Sequence, residues 1–172
     1  MAEGITVKIE GQELGRKFTQ LQSLISDLTP AMDEVGGALL ARIQQCFVDQ
    51  ASPEGLAWKP LSSVTIAQRE RLGYGEGQIL RRTGELFRSI TYQAGPDSVE
   101  IGSSSPYAST HQMGAAQGQF GRTKRGGPIP WGNIPARHFL FEGSPEAPEL
   151  PDTWIAAVTA ILSDWLDRAE GR

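Results

Sequence analysis

An α+β domain is what this sequence predicts, with a small, mostly antiparallel sheet packed with several helices. Three observations lead there. Apolar residues recur at helical spacing in the first fifty residues and again after residue 152. Between these stretches, residues 89–101 alternate with period two around a turn. A long glycine-rich basic loop, residues 115–133, is then inserted before the last apolar strand-like run.

The elements follow in chain order. Ile5, Val7 and Ile9 alternate as in a half-buried strand that ends at Gly11, and Leu14, Phe18, Leu21, Ile25 and Leu28 then form a helical stripe. Thr29 is a possible cap and Pro30 suits the first position of a second helix, because its missing N–H would be unpaired there anyway. That helix carries Met32, Val35, Leu39, Ile43, Cys46 and Phe47 on one face and runs to about Gln50. Gly36 and Gly37 inside it each cost about 1 kcal/mol of helix propensity, which points to close packing or a kink. Breakers from Ser52 to Pro60 mark a loop. Ser62 or Ser63 can cap a short helix to about Leu72, and Gly73 to Gly77 is a flexible connection.

Thr83-Gly84 looks like a cap and turn before a short piece over Glu85 to Arg88. A β-hairpin follows, with Ile90, Tyr92 and Ala94 on one face, a turn at Gly95-Pro96-Asp97-Ser98, and Val99 and Ile101 on the return. Tyr107 to Met113 reads as one or two helical turns ended by Gly114. Ile134 to Phe141 is expected to add a strand, with Pro135 at its start or at an edge. Gly143 to Pro151 is a Pro-rich linker, and Asp152 or Thr153 caps a final helix to about residue 168. Its stripe is Trp154, Val158, Ile161, Leu162, Trp165 and Leu166.

At 172 residues a single domain, 1–172, is expected, with enough chain for a real core. No apolar run approaches the roughly 20 residues needed to span a bilayer, and Met1 to Ile5 show no secretory pattern, so no membrane partner is expected. Cys46 is the only cysteine and sits on an apolar stripe, so no intrachain disulfide can form and a core role is expected. The net charge of −4 is segregated: residues 59–141 are basic, and the segments on either side are acidic. Such polarity can steer like subunits together head to tail.

Catalytic and metal chemistry have little to rest on. Ser103 to Ser105 are ordinary turn composition rather than a Gly-x-Ser-x-Gly elbow. His111 and His138 lack the spacing and partners of a metal site, and no phosphate loop is present. No cofactor is expected. Arg122, Lys124 and Arg125 make the loop basic, and so few cations would hold nucleic acid only weakly from one subunit. Several copies around a ring would multiply the effect. Docking on acidic protein and contact with DNA both remain open. With so little apolar content, the loop is expected to be disordered or ordered by a partner.

Four short blocks, in order, carry a family resemblance. They are Leu80, Thr83, Gly84, Leu86, Ser89 and Ile90; Val99, Ile101 and Gly102; Tyr107, Ala108, His111, Gln112 and Gly114; and Ile134, Pro135, Ala136, Arg137, Phe139 and Leu140. With a variable Gly-rich gap before the last block, the chain resembles the Mu-like virion-morphogenesis proteins, the tail-completion proteins of tailed bacteriophages. Two positions depart from the pattern: Ser103-Ser104 stand where Thr-Asn is common, and His138 where proline is common. The resemblance implies a non-enzymatic structural protein of the neck, forming a ring, commonly of six copies, where head connector meets tail. Other copies, connector and tail-terminator or tail-tube proteins, and the DNA in the channel are the implied partners. Thr83-Gly84 would set the turn into the hairpin, and Tyr107 with His111, at i and i+4, would pin their helix to the sheet. Arg137 would lie at the sheet edge, either pairing a neighbour's carboxylate or solvated. A tail terminator or other neck ring protein, and a nucleic-acid-binding module using the basic loop, are the alternative functions.

Overall fold

A computed structural model describes residue 22 and residues 26–75 and 77–170. The expected first strand and the first helical stripe up to Ile25 lie outside the described residues. In order, the elements are α1 (Thr29–Asp49), α2 (Ser63–Arg71), α3 (Glu85–Arg88), β1 (Ile90–Ala94), β2 (Val99–Ser103), α4 (Ala108–Met113), β3 (Glu142–Ser144), β4 (Ala147–Glu149) and α5 (Asp152–Glu170). Helices and antiparallel strands in separate segments make the fold α+β, as the hydrophobic periodicity implies.

Helix α1 is the spine. Its buried face runs through Val35, Leu39, Ile43, Cys46 and Phe47, the stripe legible in the sequence. Pro30 sits in its first turn, but the cap comes from upstream: Asp27 accepts from the Thr29 N–H at 2.9 Å, and Thr29 is already helical. The helix ends at Gln50, which takes a left-handed conformation. Its main-chain oxygen accepts from Trp58 N, and its side-chain oxygen accepts from Ile79 N at 2.8 Å. One residue thus fastens two loop segments that bring apolar groups to the core.

Phe47 is the centre of that core and is fully buried. Its ring meets Trp58, Phe87 and Phe139 at centroid separations of 5.5, 5.6 and 5.1 Å. The Trp58 and Phe87 contacts are edge-on, and such pairs add about 0.5–1.5 kcal/mol each beyond area burial. The indole N–H of Trp58 donates to His138 O, so even the polar corner of the cluster is satisfied. Helix α5 closes the other side with Trp154, Val158, Ile161 and Leu162. Leu166, counted in its apolar stripe, is 39 % exposed.

Strands β1 and β2 pair antiparallel with Ala94 opposite Val99, and Gly95 N bonds Ser98 O across the expected turn. The hairpin lies on α1 through Tyr92, whose ring occupies the space above Gly36. Close approach, one of the two readings open for the glycine pair, therefore accounts for Gly36.

Among the described residues the single sheet does not form. Ile134 makes one bridge to Ala115, and the chain from Pro135 to Leu140 is irregular rather than a strand. Pro135 lacks the ladder donor, and the donors at Arg137, Phe139 and Leu140 go instead to His111 O and the Gln112 side chain. The expected linker after Gly143 contains a second, separate hairpin, β3–β4. Gly143, inside β3, lets the strands come this close: it has φ +77°, and a Cβ there would lie 2.5 Å from Ala147 O.

Residues 115–133 are also not the shapeless loop that composition suggested. They form an arm of two antiparallel limbs. Ala115 and Ile134 exchange both main-chain bonds at its foot, at 2.9 and 2.8 Å. Further out, Phe120 N donates to Ile129 O and Ile129 N to Gly121 O, and Thr123 N bonds Gly127 O at the tip. Polar side chains complete the ladder: Gln117 N donates to Asn133 Oδ1, and Gln117 Nε2 to Trp131 O. Main-chain and amide hydrogen bonds do here what apolar burial does elsewhere.

Candidate functional site: a basic cleft at the foot of an arm

The four sequence blocks converge. Gln112, 3 % exposed, is the clamp. Its Oε1 accepts from Phe139 N at 2.9 Å and Leu140 N at 3.1 Å, and its Nε2 donates to Phe141 O at 2.7 Å. Arg137 N donates to His111 O beside it. Gly114 has φ +75°, and a Cβ there would sit 2.7 Å from both Ala136 N and Ile134 O. Hence α4 needs glycine at its end for the Ile134–Ala136 backbone to cross there. Ala108, packed in the core with Phe139, completes the joint.

The first two blocks make the hairpin root. Gly84 takes the left-handed turn before α3, and Thr83 Oγ1 accepts from Glu85 N at 3.4 Å. Ser89 Oγ donates to Leu86 O and shares a hydrogen bond with Ser103 Oγ across the strands, both at 2.7 Å. Ile90 is buried, with Val99 and Ile101 packed against the core, and Gly102 faces Thr91 in the ladder.

Between α2 and the foot of the arm lies a cleft of about 740 Å³. Leu80, Thr83 and Leu86, Tyr107 and His111, and Ile134, Pro135 and Arg137 line it from three of the blocks. Lys59, Arg69, Arg82 and Glu85 add charge. Helix α2 is placed by Ser62, whose Oγ accepts from Thr65 N. Its Arg69 is buried, with Nη1 donating to Gln78 O. Burial, with the charge of Arg82 nearby, pulls the Arg69 guanidinium below its ordinary pKa.

Two expected roles are corrected. Arg137 is neither at a sheet edge nor solvated. It is 6 % exposed, with Nε and Nη2 donating to Lys59 O at 3.1 and 2.8 Å. Burial first, then the charge of Arg69, lowers its pKa. Tyr107 does not pin α4 to a sheet: it is 60 % exposed on the cleft wall. The buried pair on α4 is Ala108 and Gln112, one position further along the same i, i+4 spacing. His111 also lines the cleft. Its Nδ1 is shielded from solvent and makes no hydrogen bond among the described residues. Burial and the charge of Arg137 hold His111 below the usual histidine pKa, so it is neutral near pH 7.

The remaining candidates, Arg122, Lys124 and Arg125, are exposed at the tip of the arm. No Asp or Glu occurs in residues 115–133. Phe120, Ile129 and Trp131 are exposed on the same arm, Trp131 by 78 %. Sequence reasoning missed Lys59, Arg69 and Arg82 as neighbours of Arg137. Arg69 lies on a short polar helix with no apolar stripe to mark an inward face, and only the fold turns it inward.

Among the described residues, no serine hydroxyl is hydrogen-bonded to either histidine, and no group of His, Cys, Asp and Glu is set to hold a metal. His138 Nδ1 pairs instead with Glu142 Oε2 at 2.6 Å. No helix of the described residues is long and apolar enough to cross a membrane.

Comparison with known proteins agrees with the four-block pattern. The phage virion morphogenesis family profile matches residues 9–158. The putative capsid assembly protein G of Escherichia phage Mu is 35 % identical over 129 residues, covering 74 % of this chain and 78 % of that protein. No solved structure matches.

Proposed function

The chain belongs to the phage virion morphogenesis family, and from that premise we propose that it is a non-enzymatic structural protein of the phage neck. In this reading it completes the tail and joins it to the head connector, as a ring of about six copies around the DNA channel. The chain serves in phage particle assembly; the place in the particle is the proposal. The name of the Mu relative refers to capsid assembly, and a neck protein borders the capsid.

The observation that carries the reading is the arm. It is held by its own ladder, is free of carboxylates, and presents cations and large apolar side chains together. A lone soluble subunit has no use for an exposed Trp131 on the same arm as Arg122 and Arg125. A subunit packed among others does, because aromatic and arginine side chains are the groups that anchor protein interfaces. A ring would also set several arms around one channel, where the summed cations could face DNA that one copy could not hold.

Imaging of particles made without the protein tests this. Separate full heads and finished tails are expected. Overlong tail tubes would make it a tail terminator instead, and absent capsids would place it in head assembly. The nucleic-acid-binding alternative is judged by a salt titration of DNA binding by the soluble protein. Submicromolar affinity at physiological salt would favour it over the structural role.

A further inference from the structure

We propose that the cleft between α2 and the foot of the arm receives the acidic β3–β4 hairpin of a second copy of this chain. The inference rests on the reading of the protein as a repeated structural subunit, and it names the contact between neighbours.

The cleft has the wrong charge to stand alone. Among the described residues, Lys59, Arg82 and Arg137 line it with one carboxylate, Glu85, and Arg69 lies on the same wall. Arg137 is buried, and its guanidinium is held by main-chain oxygens of Lys59 and Pro60. Its Nη1 makes no hydrogen bond, and the group makes no ion pair, among the described residues. His111 on the same wall leaves Nδ1 without a partner. A desolvated cation beside unpartnered polar atoms gains most from an incoming carboxylate, which Arg can grip with two parallel N–H groups.

The hairpin has the matching defect. From Glu142 to Asp167 the chain has no Lys or Arg. Glu142 and Glu149 stand directly opposite each other in the β3–β4 ladder. Like charges in that position repel. Glu142 Oε2 has a hydrogen-bond partner in His138 Nδ1 at 2.6 Å, whereas Glu149 has no Lys or Arg within ion-pair distance among the described residues. Glu146, Glu149 and Asp152 are exposed, and Leu150 beside them is 40 % exposed. Together they offer carboxylates around an apolar anchor, and the cleft offers arginines around Leu61, Leu72 and Leu80.

No residue of the hairpin lines the cleft of its own chain. Among the described residues, each copy therefore keeps its cleft apart from its own hairpin. Such a contact is head to tail, and repetition closes a ring or runs as a filament.

The test uses assembled particles carrying the photo-cross-linking residue benzoylphenylalanine in place of Gln68, which is exposed on the cleft wall. A dimer of this chain is expected, with the linked peptide inside residues 142–152. Linkage to another virion protein, to a different surface of the chain, or to nothing overturns the proposal and leaves the virion role standing. Absence of the chain from particles would instead overturn the proposed function. Charge reversal in the purified protein gives the independent arm. Arg82→Glu and Glu149→Arg, both at exposed positions, should each weaken salt-sensitive self-association about tenfold, and together restore most of it. A double variant as weak as the singles, or a wild-type chain that stays monomeric at high concentration, sinks the pairing.

Discussion

Alanine at Gly36 and alanine at Gly37 should shift stability in opposite directions, although the two glycines are neighbours on one helix. Both replacements gain up to about 1 kcal/mol of helix propensity. At Gly37 the new methyl carbon meets only the Tyr92 hydroxyl, at 3.7 Å, an ordinary contact. The propensity gain should survive, stabilising by about 0.5–1 kcal/mol. At Gly36 the methyl would fall among Cδ2, Cε2 and Cγ of the Tyr92 ring, the last at 2.8 Å. Real contacts of that length do not persist, so the ring or the helix must move. Tyr92 is tied on the far side, its hydroxyl donating to Asp33 Oδ1 at 3.1 Å. Overpacking of this kind costs about 1–3 kcal/mol, which outweighs the propensity gain. Net destabilisation of about 1–2 kcal/mol follows. Urea unfolding is the assay. With a slope of about 2 kcal/mol per molar, the midpoint should fall by about 0.5–1 M for Gly36→Ala and rise by up to about 0.5 M for Gly37→Ala. In Tyr92→Ala protein, Gly36→Ala should turn stabilising, because the obstacle is gone. Equal effects at both glycines, or no change of sign without the ring, would refute the packing account of Gly36.

Three further outcomes follow from the same structure. Gln112→Ala removes three hydrogen bonds and strands Phe139 N, Leu140 N and Phe141 O, so a loss of about 3 kcal/mol or more is expected in denaturant unfolding. His111 gives a pH signature. Its folded pKa lies below 6.5, so below that value the unfolded chain binds the proton more readily. Its contribution is intact above about pH 6.5 and is lost as pH falls toward the folded value. The difference in stability between wild type and His111→Asn should change across that window, and a difference independent of pH between 4 and 8 would contradict the buried neutral state. Cys46 should be inert. Burial first, then the charge of Asp49, pushes its thiol up to about 11, so at pH 8 only about 0.1 % is thiolate. Thiol reagents should label it slowly in the native protein and at once in denaturant.

Much of the site was legible one residue at a time. Thr83-Gly84 as a turn, Ser89 at the hairpin root, and Ile90 and Phe139 as apolar positions all follow from local chemistry or short-range pattern. Gln112 was marked as part of a block, but nothing local says that its amide reaches Phe139, 27 positions on. Arg137 shows the same gap more sharply. Its neighbours in sequence read as an edge strand, and that reading placed the guanidinium outside. Its donors are satisfied by Lys59 and Pro60, 78 and 77 positions away, which no periodicity encodes.

By itself the sequence determined what depends on short range: the apolar face of α1, the cap of α2, the β1–β2 turn, the buried single cysteine and the segregation of charge. Helical and strand periods, turn chemistry and side-chain volume act over a few residues, and those signals are printed in the chain. Tertiary structure alone decided which polar groups meet. It turned the loop into an arm, because its hydrogen bonds pair residues across its own length rather than with neighbours. It broke the anticipated sheet in two, because the donors after Pro135 were taken by α4. And it set Arg69, Arg82 and Arg137 around one cleft, where burial and the neighbouring positive charges pull the Arg69 and Arg137 guanidinium groups below their ordinary pKa.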